Sequence, residues 1–213
     1  MKKKDNVIIY GAGGFGKALL INTSKELNVI GFIDDKKKIN SKIYENYRVI
    51  GNFNKLKKIN KKTKILMGIG YKFWKKRERI INKIKVLGFK FQTFIDPTSI
   101  ISNNTIIQEG AFISKGCNIS SSCRIGQNAF LDISSIIGEN TKIDKNCYIS
   151  AGTNVCGNVK ISKNCFIGAS SIICDQVKID DNCFINAGSL VYSNLKKNTK
   201  FIEFRNSRIV KNV

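Results

Sequence analysis

The sequence contains no histidine, no Cys-x-x-Cys pair and no apolar run long enough to cross a bilayer. Without histidine or paired cysteines a zinc site is not expected, and no metal is predicted. Without a long apolar run no transmembrane helix is expected. The basic start at Lys2 leads into a short apolar stretch and a glycine loop, which predicts a first strand rather than a signal peptide. We therefore expect a cytoplasmic protein without membrane insertion.

A six-residue repeat occupies the second half of the chain. From Ile95 to Val191 every sixth residue is Ile, Leu or Val, 17 in succession. A small residue stands four positions after most of them, including five of the seven cysteines. Neither a helix nor an ordinary strand has this period, whereas a parallel β-helix does. We predict a β-helix with the aliphatic column inside and these cysteines as small buried apolar residues.

The first half alternates strand and helix patterns. Apolar strands are predicted at residues 7–10, 29–33 and 64–70, helices at about 17–26 and 74–87, and a closing strand at 89–94. Gly11, Gly13 and Gly16 follow the first strand as Gly-x-Gly-x-x-Gly, a loop that brings backbone N–H groups to phosphate oxygens. Asp34 ends the next strand, where a carboxylate can accept ribose hydroxyls. The order predicts a small Rossmann-like sheet suited to a mononucleotide.

The charge is concentrated in this first half. Residues 1–94 hold 24 Lys or Arg and six Asp or Glu, against 13 and nine in residues 95–213. A basic domain raises the possibility of nucleic-acid binding. No Lys/Arg array interleaved with stacking aromatics accompanies it, so a phosphate-bearing small molecule is the favoured ligand.

The whole chain resembles the sialic-acid and bacillosamine O/N-acetyltransferases, a family of sugar-nucleotide acyltransferases. The likeness rests on the glycine loop, on Phe-Ile-Asp-Asp at 32–35, on Gly-Ile-Gly at 68–70 and on the segment 151–161 within the repeat. It implies an α/β plus all-β chain, with a Rossmann-like sugar-nucleotide domain at 1–94 and a left-handed β-helix acyltransferase domain with a C-terminal tail at 95–213. It also implies a homotrimer, acetyl-CoA or another acyl-CoA as co-substrate, and a role in bacterial surface glycan biosynthesis.

The resemblance assigns two sets of binding residues. Contacts to a UDP-sugar or another nucleotide-linked amino sugar are implied for Gly13, Gly14, Phe15, Asp34, Asp35 and Gly70. Contacts to acyl-CoA, in the groove between neighbouring prisms, are implied for Tyr148, Gly157, Ala169 and Ala187.

Every histidine of the family pattern is replaced. Glu139 stands at the position of the catalytic base, Tyr148 at that of the histidine against acetyl-CoA, and Asp96 at that of the histidine before the first repeat. The C-terminal Gly-x-Pro-Ala-Lys is replaced by residues 204–208. A sugar amine needs only to be neutral to attack a thioester, so N-acylation depends less on a strong base than O-acylation does.

Two hypotheses follow from these replacements. The first is acyl-CoA-dependent N-acylation of a nucleotide-linked amino sugar, with Glu139 as proton acceptor and Asp132 assisting or orienting. The alternative is a catalytically silent sugar-nucleotide-binding or scaffold homologue, in which Glu139 is an ordinary turn carboxylate.

Overall fold

In the computed structural model residues 5–202 are described, with the side chains at positions 72, 74 and 75 left aside. The replaced C-terminal segment at 204–208 and the lysines at the start of the chain lie outside the described residues.

The first half forms a five-stranded sheet in the order β3-β4-β2-β1-β5. Its strands are β1 (Asn6–Tyr10), β2 (Asn28–Ile33), β3 (Lys42–Tyr44), β4 (Tyr47–Gly51) and β5 (Lys64–Met67). Its helices are α1 (Gly14–Thr23) and α2 (Trp74–Val86), with 3-10 turns at Phe53–Lys58 and Tyr71–Phe73. The strands β4, β2, β1 and β5 are parallel, which confirms the Rossmann-like prediction.

Two details of this sheet differ from the prediction. Strand β3 pairs antiparallel with β4, and neither was predicted, because their mixed polar sequence shows no buried run. The predicted closing strand at 89–94 is reduced to a single bridge between Phe91 and Ile65. Phe94 instead begins the first strand of the β-helix, since it pairs with Phe112.

The second half is a three-sided prism of two-residue parallel strands. Each strand pairs with the strands three rungs before and three rungs after it, so three six-residue rungs make one coil. We name the three sides by their outward side chains: the aromatic face, the isoleucine face and the lysine face. The strands of the aromatic face are Phe94–Ile95, Phe112–Ile113, Phe130–Leu131, Tyr148–Ile149, Phe166–Ile167, Phe184–Ile185 and Lys200–Phe201. Those of the isoleucine face are Ile100–Ile101, Asn118–Ile119, Ile136–Ile137, Asn154–Val155, Ile172–Ile173 and Leu190–Val191. Those of the lysine face are Ile106–Ile107, Arg124–Ile125, Lys142–Ile143, Lys160–Ile161 and Lys178–Ile179.

The aliphatic column points into the prism, as the six-residue period predicts. From Ile113 to Val191 all its members are buried, and the five cysteines of the small column are buried beside them. Only the first coil departs from this, because no coil lies beneath it, and Ile95 is therefore exposed. The left-handed β-helix of the expected fold class is confirmed.

The corners of the prism require left-handed backbone. Ordinary side chains disfavour positive φ, and asparagine tolerates it best. Asn128, Asn146, Asn164 and Asn182 occupy this conformation at one corner, between the lysine and aromatic faces. There Asn146 donates to Asn164 (2.8 Å), and Asn164 donates to Asn182 (3.2 Å). We call this series the asparagine corner.

Candidate functional site

The glycine loop contains two kinds of glycine. At some positions the fold requires glycine because a side chain would collide with the backbone, and at others the space beside the glycine is open. A Cβ on Gly16 would meet the Gly11 carbonyl oxygen at 1.9 Å, and Gly11 itself has φ +107°. Among residues 5–202, nothing comes within 4 Å of a Cβ built on Gly13 or on Gly14. The fold explains the first pair, whereas the second pair leaves room for a ligand above the N-terminus of α1, where free N–H groups favour an anion.

A cavity of about 450 Å³ lies over this loop. It opens at the carboxyl ends of β1, β2 and β5, where the chain leaves β1 and β5 toward opposite sides of the sheet. Ligands of open α/β sheets bind at such points. Its lining includes all six residues implied for the sugar nucleotide, namely Gly13, Gly14, Phe15, Asp34, Asp35 and Gly70.

The two carboxylates of this cavity are held by the chain itself. Asp34 accepts hydrogen bonds from the backbone N–H groups of Ala12 (2.8 Å), Lys36 (2.8 Å) and Lys37 (3.0 Å). Partial burial alone raises the pKa of the Asp34 carboxyl, but these donors outweigh burial and the pKa lies below its ordinary value. Asp34 thus fastens the glycine loop to the end of β2, with its remaining lone pairs free for a hydroxyl.

Asp35 bridges the strand end and the next turn. Its Oδ2 accepts from the Tyr10 hydroxyl at 2.6 Å, and its Oδ1 accepts from the Phe53 N–H at 2.8 Å. Burial, with Asp35 and Asp34 alongside, raises the pKa of Tyr10. This tyrosine stays a protonated donor, so the Asp35 carboxylate is held in one orientation at the cavity wall.

The aromatic face contributes Tyr148 to the cavity lining. Its outward rings stack along the prism axis at centroid spacings of 4.7 to 5.7 Å, in the order Phe94, Phe112, Phe130, Tyr148, Phe166 and Phe184. Sequence reasoning missed this ladder, although its signal is plain: an aromatic residue precedes the inward aliphatic at every third rung.

Two side chains of the first half dock on the ladder. Phe15, from the glycine loop, meets Phe130 edge-on at 5.0 Å. Tyr71 stacks on Phe166 at 4.1 Å and contacts Tyr148 at 5.3 Å, at the widest step of the ladder. Tyr71 was not predicted as a site residue, yet it lines the cavity.

Tyr148 is the ladder residue that lines the cavity, and among the six stacked rings it is the one that carries a hydroxyl. Its hydroxyl donates to Asp132 Oδ2 at 3.2 Å. Burial, followed by the charge of Asp132, raises the pKa of Tyr148, so its hydroxyl keeps its proton. The structure therefore brings two predicted residues together as a donor–acceptor pair beside the cavity.

A buried cation stands behind Tyr148. Arg77 of α2 donates to the Asn128 carbonyl oxygen at 3.0 Å and to Asn146 Oδ1 of the asparagine corner. Within residues 5–202 it forms no ion pair with a carboxylate. Burial lowers the pKa of Arg77 to about 10, which leaves the side chain charged at neutral pH. Arg77 thus adds a positive charge behind the cavity wall.

Glu139 does not reach this cavity within one chain. It is exposed at the corner between the isoleucine and lysine faces, opposite the aromatic face, and there a Cβ on Gly157 would meet its Cγ at 3.4 Å. Ala169 and Ala187 lie at a different corner, between the aromatic and isoleucine faces. A single chain therefore gathers the sugar-nucleotide residues with Tyr148 and Asp132, but it separates them from Glu139 and splits the acyl-CoA residues between two corners.

Asp96 has a local role. Its Oδ1 accepts from the Thr98 N–H (3.0 Å) and hydroxyl (2.7 Å), which closes the turn after the first rung. Across the described part of the chain, no group of three or more His, Cys, Asp or Glu side chains is arranged to hold a metal ion.

Two family models match the chain. The PglD N-terminal domain matches residues 6–84, and the GMPPB C-terminal domain matches residues 88–194, just over half of the 213 residues. No curated protein matches the chain by sequence.

Solved structures share the whole architecture. PerB from Caulobacter crescentus, in complex with CoA and GDP-perosamine, superposes with a TM-score of 0.82 at 19% identity, over 90% of this chain and 91% of that one. The acetyltransferase domain of PglB from Neisseria gonorrhoeae, in complex with acetyl coenzyme A, gives 0.83 at 19% identity, over 92% and 95%. WeeI from Acinetobacter baumannii gives 0.79 at 20% identity, over 89% and 92%. At these identities the likeness establishes the shared fold.

Proposed function

Because the chain belongs to the family of the GMPPB C-terminal domain and carries a PglD N-terminal domain before it, we propose that it is an acyl-CoA-dependent N-acyltransferase acting on a nucleotide-linked amino sugar. The PglD N-terminal domain and the β-helix fold support the expected kinship with hexapeptide-repeat sugar-nucleotide acyltransferases. Acetyl is the proposed acyl group, since the PglB domain of the same fold was solved with acetyl coenzyme A. The proposed product is an N-acetylated sugar nucleotide for bacterial surface glycans.

The observation that carries the proposal is the cavity between the glycine loop and Tyr148. One wall offers N–H groups and open space for a diphosphate, and the other offers a polar hydroxyl on an aromatic surface. A sugar nucleotide with its diphosphate at Gly13 and Gly14 extends its sugar toward the β-helix. The proposed division of labour is therefore nucleotide binding by residues 1–94 and acyl transfer by residues 95–213.

In the proposed reaction the neutral sugar amine attacks the thioester carbonyl carbon, a C–N bond forms, and the C–S bond breaks to release CoA. Without substrate the single proton of the Tyr148 hydroxyl is donated to Asp132. In the proposed reaction this hydroxyl keeps its proton and turns its hydrogen bond from Asp132 to the carbonyl oxygen as that oxygen gains negative charge. The proton lost by the amine passes to a carboxylate, Asp132 in the same chain or Glu139 of a neighbour.

We place the site at the interfaces of a homotrimer. Glu139 and Gly157 lie at one corner and Ala169 and Ala187 at another, so these residues serve one acyl-CoA only if neighbouring prisms contribute different corners. We place the enzyme in the cytoplasm, where acyl-CoA and sugar nucleotides are available. All seven cysteines are free thiols, in keeping with a reducing compartment.

The test is acetyl transfer by the purified chain, followed by mass spectrometry of the sugar nucleotide. Acetyl-CoA is supplied with a panel of UDP- and GDP-linked amino sugars, and we expect one of them to gain an acetyl group. Calorimetry with CoA and with each sugar nucleotide runs in parallel. Binding of a sugar nucleotide without CoA binding and without product would contradict an enzyme and favour the silent binding protein, for which the absence of histidine argues.

A further inference from the structure

The strongest concentration of charge in the chain lies in residues 53–90. This segment holds 14 Lys or Arg and a single acidic residue, Glu78. The Glu78 carboxylate accepts a hydrogen bond from Asn164 of the asparagine corner at 3.1 Å, so it faces the β-helix. The outer side of the segment therefore carries positive charge with no acidic residue of the segment to offset it.

These cations share one surface. Helix α2 and the turn Phe53–Lys58 pack on the same side of the sheet, where Leu56 and Ile84 enter one core cluster. Lys83 Nζ lies 5.9 Å from the centroid of the Phe53 ring and joins the two elements. We call the outer side the helical basic surface; its exposed cations are Lys55, Lys57, Lys58, Lys61, Lys62, Lys76, Arg79 and Lys83.

The outward stripe of α2 combines charge with exposed apolar groups. Lys76, Arg79, Lys83 and Val86 follow one another at spacings of three or four residues, which places them on one side of the helix, and Phe73 lies immediately before its first residue. Phe73 is 60% exposed and Val86 is 87% exposed. The stripe thus has three cations with a bulky apolar side chain at each end.

We propose that the helical basic surface docks the protein peripherally on anionic lipid headgroups, with α2 parallel to the bilayer. Clustered Lys and Arg bind anionic phosphates, and an apolar side chain at either end of the helix reaches the interfacial depth. Single-stranded nucleic acid favours a series of stacking aromatics, whereas Phe73 is the one aromatic on the described outer stripe. No helix among the described residues is long and apolar enough to cross a bilayer.

Docking also orients the cavity. Phe73 and Lys76 line the cavity as well as the stripe, so the cavity mouth lies beside the lipid surface when α2 is bound. These two residues belong to the proposed binding site, and variants that test docking leave them unchanged.

The test is flotation of the full chain with vesicles of phosphatidylcholine alone and of equal parts phosphatidylcholine and phosphatidylglycerol. We expect binding to the anionic vesicles only, weakened by salt because headgroup attraction is screened. The quadruple variant Lys57→Gln, Lys58→Gln, Arg79→Gln and Lys83→Gln should lose roughly tenfold or more in partitioning. Val86→Gln removes an apolar side chain without changing the charge, and it should weaken binding to the vesicles. This variant separates the contribution of the apolar side chain from electrostatic attraction to the headgroups.

A matched control removes four cations from the lysine face, by Arg124→Gln, Lys142→Gln, Lys160→Gln and Lys178→Gln. It carries the same net charge as the test variant and should partition within about twofold of the unaltered chain. Equal loss in both variants, or no binding to anionic vesicles at low salt, would overturn the proposal. Single-stranded DNA could instead bind more tightly than the vesicles do, with binding weakened in the test variant and not in the control. That outcome would assign the surface to a different partner. Circular dichroism of each variant confirms that the fold is retained.

Discussion

The Tyr148 hydroxyl lies 3.2 Å from Asp132 Oδ2 and donates a hydrogen bond to it, so an aromatic ladder residue and a corner carboxylate form one polar unit beside the cavity. Burial raises the pKa of the tyrosine, so the unit holds a proton donor across the physiological range. Tyr148 stands at the position where the resembled family carries a histidine against acetyl-CoA, and Asp132 lies one coil earlier. The replacement keeps a hydrogen-bond donor and gives up a group that titrates near neutral pH.

Tyr148→Phe removes the hydroxyl and keeps the ring in the ladder. If the hydroxyl stabilises the oxyanion, kcat should fall about 10- to 100-fold while the affinity for acetyl-CoA stays within a few fold. Steady-state kinetics and calorimetry measure the two quantities. Asp132→Asn still accepts the bond and should retain more activity than Asp132→Ala. Equal kcat for Tyr148→Phe and the unaltered chain would remove Tyr148 from the mechanism.

Gly14→Ala should abolish sugar-nucleotide binding without unfolding the protein. The added methyl group occupies space that the described residues leave empty and that the proposed position of the diphosphate requires. Gly16→Ala is the contrasting variant, because its methyl group would collide with the Gly11 carbonyl and should cost stability. Calorimetric titration and thermal unfolding separate the two effects. Unchanged nucleotide affinity in Gly14→Ala would place the diphosphate elsewhere.

Glu139→Gln and Tyr148→Phe should complement each other if the site is shared between subunits. Within one chain these residues lie on opposite sides of the prism. A mixed trimer therefore rebuilds an intact site from Tyr148 of one chain and Glu139 of its neighbour. Co-expression with two affinity tags yields the mixed species, whose activity should exceed that of either parent. Activity no higher than the parents, in a verified mixed trimer, would contradict a shared site.

Asp34 should make stability depend on pH in the acidic range. Its folded pKa lies below the unfolded value, so its contribution is present above the unfolded pKa of about 3.9 and is lost as pH falls through the lower folded pKa. The difference in unfolding free energy between the unaltered chain and Asp34→Asn should be constant above about pH 5 and shrink below about pH 4. Urea unfolding across that range measures it. A difference independent of pH would show that the carboxylate charge adds nothing.

The aromatic ladder should contribute to the stability of the whole chain. Phe130 is buried against Phe112 and Tyr148 and also meets Phe15 of the glycine loop. Phe130→Ala should cost about 3–5 kcal/mol in unfolding free energy. Tyr192, which is 76% exposed, is the matched aromatic control, and Tyr192→Ala should change stability by about 0.5 kcal/mol or less. Similar losses of unfolding free energy in both variants would show that the ladder stabilises the chain no more than an exposed aromatic side chain does.

The parts that could be predicted from sequence are those governed by a strict local period. The inward column from Ile113 to Val191 has a period that a parallel β-helix satisfies, and the loop at Gly11–Gly16 is recognisable because a strand precedes it and a helix follows it. Tyr71 could not be placed, because its contact with Phe166 depends on how the two halves of the chain meet. The separation of Glu139 from the cavity is likewise a property of the closed prism, since each rung turns the chain toward a different face.

The pairing of each rung with the rung one coil earlier also bears on how the chain assembles during synthesis. Every coil finds its hydrogen-bonding template in chain that has already left the ribosome, so the prism can grow by addition at one end, as repeat proteins propagate from a formed neighbour. The Rossmann-like sheet emerges first, and its Phe15 and Tyr71 offer a platform on which the early rings of the prism can settle. Deleting one whole coil from the middle of the repeat should therefore shorten the prism and still leave the later coils a surface on which to build.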